Sequence, residues 1–114
     1  MAKLPDETIT TIFTLQRQLA EGIEVAAAAE WALAEQYGET EATIPELEEL
    51  QNARERLISR YSGLYKLFLR ILEMQPTAPT AMLNILAQTI EQGQAVRDAA
   101  GASVEEVKRS WNLP

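Results

Sequence analysis

Two long stretches of the chain carry residues of one helical face at alternating steps of three and four, and this spacing constrains the fold more than any other feature. Ile9, Ile12, Gln16, Leu19, Ile23, Ala26, Glu30, Leu33 and Tyr37 form the first series; Leu47, Leu50, Arg54, Leu57, Tyr61, Leu64, Phe68 and Ile71 form the second. A period near 3.6 puts each series on one side of an α-helix. The spacing predicts a first helix over about residues 6–37 and a second over about 44–74. Between them "GETEAT" is polar, Gly38 suits a C-cap, and Thr43-Ile44-Pro45-Glu46 has the form of a capping box with proline in the first turn. So short a connection folds the two helices back as an antiparallel hairpin.

"QPTAPT" then interrupts the chain, because prolines cannot continue a helix, and Pro79 suits the start of the next one. Leu83, Leu86, Ile90, Gly93 and Ala100 share a side of this third helix, predicted over about 79–100, with Gly93 either admitting close packing or weakening the middle. Gly101 reads as its end. Ser103-Val104-Glu105-Glu106 reads as a second capping box, opening a short C-terminal helix over about 104–111 with Val104, Val107 and Trp111 along its apolar edge. The expected fold is an all-α, small up-and-down helical bundle built on the hairpin, a single domain over residues 1–114. Helix formers dominate a composition that is 46% hydrophobic and 24% charged, enough apolar material for one core.

The two stripes are interrupted by charge at Glu30 and Arg54. If the loop centre lies near residue 42, facing positions sum to about 83 or 84, pairing Tyr37 with Leu47, Ala26 with Leu57, Ile23 with Tyr61, Leu19 with Leu64, Ile12 with Ile71, and Glu30 with Arg54. An interhelical ion pair between Glu30 and Arg54 is therefore expected, with register as its use. Beside the main stripe, Phe13, Ala20, Ala27 and Ala34 recur every seven residues as a flat ridge, expected to lie under the third helix. Trp31, next to that ridge, is expected at the core or its edge.

Charge is laid out unevenly. From Gln18 to Ala53 there are nine glutamates and no lysine or arginine, whereas Arg54, Arg56, Arg60, Lys66 and Arg70 follow with only Glu55 among them, in a chain of net charge −7. The hairpin should have an acidic loop end and a mixed or basic open end, a dipolar surface that can orient a partner. With no histidine and no cysteine, the commonest general base, the histidine-containing metal bundle and thiolate chemistry are excluded. There is no glycine-rich phosphate loop and no serine in an elbow or triad pattern. Neither a cofactor nor a metal is expected. "LYKLFLRILEM" is the most apolar stretch but carries Lys66 and Arg70 and is too short to span a bilayer; the N-terminus does not read as a signal peptide, so the expected location is cytoplasmic.

Three functional readings follow. The first is a non-enzymatic helical protein-interaction module, a small regulatory, adaptor or assembly protein, whose contact surface involves Val25 and Trp31 on the first helix, Tyr65 on the second or Trp111 at the end. Its partner is a protein of unspecified identity, or a second copy in a homodimer, since long hairpins often complete their cores by pairing. The second is a small enzyme or ligand-binding protein that clamps an anionic molecule between helices, in the manner of the all-helical chorismate mutases; Arg17, Arg54, Arg60 and Lys66, with Gln16 and Glu30, would form the clamp. The third rests on "VRDAAGASVEEVKRSW", which resembles a helix-turn-helix over about sixteen residues; that resemblance implies DNA binding. Glu105 and Glu106 open the would-be reading helix and would repel phosphate, so no nucleic-acid partner is expected.

Overall fold

In a computed structural model, residues 4–114 are described, and they form three helices: α1 (Asp6–Tyr37), α2 (Ile44–Glu73) and α3 (Thr80–Ser110). α1 follows Pro5, and Asp6 and Glu7 in its first turn complement the positive end of the helix dipole. It stops at Gly38, whose φ of 74° lies in the left-handed region and whose N–H donates to the Ala34 carbonyl. The loop that follows is organised by Thr43 rather than by a capping box. The buried Thr43 hydroxyl donates to the Gly38 carbonyl at 2.7 Å and accepts from the Thr40 N–H at 2.8 Å. That oxygen therefore serves the turn, and makes no cap bond to α2.

The third element departs from the expectation of two helices. α3 runs uninterrupted through Gly101 and Ser103 to Ser110, so the predicted break near residue 100 and the separate helix over 104–111 are replaced by one rod. The physical reason is phase. Leu86, Gly93, Ala100, Val104 and Val107 all stay buried on one side, and an interior glycine costs only about 1 kcal/mol, less than a break in that stripe would forfeit. The helix ends instead in a Schellman motif: Leu113 N–H donates to the Lys108 carbonyl and Asn112 N–H to the Arg109 carbonyl, with Asn112 at φ 52°.

The molecule is a rod of 56 × 20 × 17 Å. α2 runs antiparallel to α1, as Glu30 meets Arg54 and Gln16 meets Tyr61. α3 runs parallel to α1, as Leu15 lies against Gly93, Gln18 against Arg97 and Tyr37 against Trp111. Ile12, Leu15, Leu19, Ala26, Ala29 and Leu33 of α1 meet Leu50, Ala53, Leu57, Leu64 and Ile71 of α2 and the buried side of α3 in one continuous core. Two glycines set how closely the helices approach. A Cβ at Gly22 would stand 3.1 Å from Leu57, and one at Gly93 would stand 2.9 Å from Leu15, so Gly93 admits close packing. Leu57 thus reaches the turn of Gly22, one helical turn from the Ala26 level expected for it.

The alanine ridge is not where α3 lies. Phe13, Ala20 and Ala27 are exposed and Ala34 is only partly covered. α3 packs on the other flank of α1, where Leu15 lies against Gly93 and Gln18 against Arg97; Leu15, Gly22 and Ala29 on that side also recur every seven residues. Both flanks are small in the middle, and the bulk of Leu15 meeting Gly93 selects the second.

Candidate interaction face

Because α3 covers one side of the hairpin, the other side of the α1/α2 seam is open. On α1 the residues that border it are Ile9, Phe13, Gln16, Ala20, Ile23, Ala27, Glu30 and Ala34, at alternating steps of four and three. This series is displaced by one position, about 100° around the helix, from the core series Ile12, Leu15, Leu19, Gly22, Ala26, Ala29 and Leu33. α2 borders the same seam with Ile58, Tyr61, Tyr65, Phe68 and Leu72, again at steps of three and four. Phe13 packs edge-on against Phe68, with ring centroids 5.7 Å apart. The result is a long, mostly apolar face: Ala20, Ala27 and Ala34 among larger residues on the α1 side, aromatic and branched ones on the α2 side.

Large apolar groups stay exposed along it. Trp31 is 69% exposed, Phe13 60% and Tyr65 51%. Trp31 was expected at the core or its edge and is instead on the surface, because α3 occupies the opposite flank of α1. Of the four residues anticipated at an interaction surface, Trp31 and Tyr65 border this face, near its loop end and its open end. Val25 is exposed as well, but six residues from Trp31 means about 120° around the helix, so the two do not share a patch. Trp111 is committed within the molecule. Its ring packs against Tyr37, its indole N–H donates to Glu46 at 3.1 Å, and its carbonyl accepts the Tyr37 hydroxyl at 2.9 Å.

Two polar features interrupt the seam. Arg54 Nε donates to Glu30 Oε2 at 3.0 Å and also reaches Oε1, and the side chains retain 30% and 21% exposure, so the pair is partly and not fully buried. Gln16 is buried between the two helices and donates from Nε2 to the Tyr61 carbonyl at 3.3 Å, while its Oε1 has no hydrogen-bond partner among the described residues.

The residues of the anion clamp do not converge. Arg54 is held by Glu30, Arg60 donates to Gln92 on α3, Arg17 is exposed beside Glu21, and Lys66 points to solvent. A cleft of about 570 Å³ lies elsewhere, between the first turns of α1 and α3. Leu4, Thr8, Thr11, Leu83, Leu86 and Ile90 are among its lining residues, and among the described residues no arginine or lysine lines it. The helix-turn-helix segment has no turn, since α3 is continuous at Gly101, and its Arg97 is engaged with Gln18 of α1 and with Asp98. The hydrogen bond from Arg97 holds the Asp98 carboxyl below the usual carboxylate range. Among the described residues there is no group of three carboxylates placed to hold a metal, and no helix is long and apolar enough to cross a membrane. Family models, curated proteins and solved structures were compared with the chain, and none matches it.

Proposed function

We propose that the chain is a non-enzymatic protein-interaction module that offers the open α1/α2 face to another helical surface. The observation that carries this reading is the second heptad series on α1, uncharged except for the paired Glu30, with Phe13, Ala20 and Ala27 exposed beside a row of aromatic and branched residues on α2. A surface of this length, apolar along its centre and rimmed by charge, is what helices present to other helices. Scattered exposed apolar residues need no explanation, but ones that keep a helical period over the whole of α1 do. The arginines available for an anionic ligand point apart or are already bonded, which favours contact over catalysis.

The test is capture on the immobilised full chain from an extract of the source cells, run beside Ala27→Glu. Ala27 is exposed, so this variant keeps the fold while placing a charge in the middle of the face. Loss of the captured proteins with Ala27→Glu supports the reading. Capture that is unchanged by this substitution, or none by either chain, overturns it.

A further inference from the structure

The face described above fits one occupant better than others. We infer that it is covered by a second copy of the same chain, in antiparallel orientation, about a two-fold axis that lies in the face and crosses the helices at right angles. This rests on the interaction reading and specifies its partner.

The first support is charge. The loop half of the hairpin, residues 21–57, carries ten glutamates against Arg54 and Arg56, while the open half holds Arg17, Arg60, Lys66 and Arg70 against Asp6, Glu7 and Glu73. Pairing two hairpins in parallel would set one acidic half on the other. Antiparallel pairing sets each strongly acidic half on a weakly basic one, which favours encounter and selects orientation.

The second support is that the charged edges define a single axis. On α2, Glu48 and Lys66 are eighteen residues apart, five full turns, so they share one outer edge, and their midpoint is Leu57. On α1, Arg17 and Glu24 are seven apart on the outer edge, with their midpoint between Ala20 and Glu21. Gly22 lies against Leu57 across the seam, so the two midpoints fall at the same height on the rod within about one helical turn. One rotation therefore brings Lys66 to Glu48 and Arg17 to Glu24 of the second copy together. The same rotation carries Trp31 to the level of Phe13 of the second copy, within about 5 Å along the axis at 1.5 Å per residue. These are the two most exposed large apolar side chains of α1, and each would cover the other.

The third support is shape. At the axis α1 presents Ala20, small enough for the two copies of α1 to approach closely, while α2 presents Ile58. The rod is 56 Å long and about 20 Å wide, room for the roughly 800 Å² per partner of a stable standard interface.

Light scattering on a sizing column across a dilution series is expected to give twice the 12.7 kDa chain mass. Lys66→Glu should weaken pairing at least about tenfold. The double variant Lys66→Glu with Glu48→Lys should restore it, since the two residues are too far apart within one chain to compensate each other there. The chain has no cysteine, so single cysteines report geometry cleanly. Ala20→Cys should oxidise to a covalent dimer, whereas Ala34→Cys should not, because its two copies lie about 40 Å apart at 1.5 Å per residue. A mass of 12.7 kDa at every concentration overturns the second copy as occupant; the interaction reading is then decided by the capture experiment with Ala27→Glu. A dimer that links through position 34 and not 20, or a charge swap that fails to restore pairing, overturns the antiparallel arrangement.

Discussion

Gln16 and the Glu30–Arg54 pair interrupt the same seam in two different ways. Gln16 makes one bond, to a helix carbonyl, and leaves Oε1 unmatched in a buried position. An unsatisfied buried acceptor costs about 1–3 kcal/mol, so Gln16→Leu is expected to stabilise the protein by about 1 kcal/mol, measured by urea unfolding. A loss of stability would mean that the amide is better satisfied than its geometry indicates. The pair at 30 and 54 keeps both partners and part of its solvent. A double-mutant cycle with Glu30→Ala and Arg54→Ala is expected to return a coupling of about 1 kcal/mol, the upper end for partly exposed pairs. A coupling near zero would show that the attraction only offsets desolvation. Both positions stood out in the sequence as polar members of apolar series. Their partners did not follow equally well: a loop of known length fixed Glu30 opposite Arg54, but Gln16 reaches a backbone carbonyl, which side-chain patterning cannot reveal.

At the scale of elements, α1 and α2 were legible to within a residue or so because long stripes and a glycine stop mark their ends. α3 was not, because Gly101 and Ser103 send the same local signal whether a helix ends there or is carried through by packing. The glycines separate these roles in a testable way. Gly63 and Gly101 lie inside helices with open space where a Cβ would go, so alanine at either is expected to raise stability by about 1 kcal/mol. Gly38 also has open space but a φ of 74°, so Gly38→Ala is expected to lower stability by about 1 kcal/mol. Thermal unfolding of the three single variants checks the ordering. A destabilised Gly101→Ala would indicate that α3 is interrupted there in solution.

Over the whole molecule, the C-terminus of α3 is fastened to the loop end of the hairpin by Trp111. Its contacts with Tyr37 and Glu46 tie all three helices at the acidic end. Trp111→Ala is expected to cost about 2 kcal/mol, less than a fully buried tryptophan, and to speed amide exchange selectively in the last turns of α3. Uniform acceleration along the rod would show that the contact serves global stability alone. The same residue was counted in the sequence among those free to meet a partner. A tryptophan near a terminus looks alike in both roles, and only the parallel course of α1 and α3, which brings residues 37 and 111 together, assigns it inward.

Helicity, hairpin topology, the uneven charge and the lack of histidine and cysteine chemistry are properties of residue identity and spacing, and so the chain alone determined them. Which flank of α1 receives α3 was decided by tertiary structure. Two flanks of similar smallness compete there, and the contact of Leu15 with Gly93, 78 residues apart, settles it. From that one choice comes the open face with Phe13, Trp31 and Tyr65 on its surface: a period of seven says that a stripe exists, while its exposure depends on where the third helix packs.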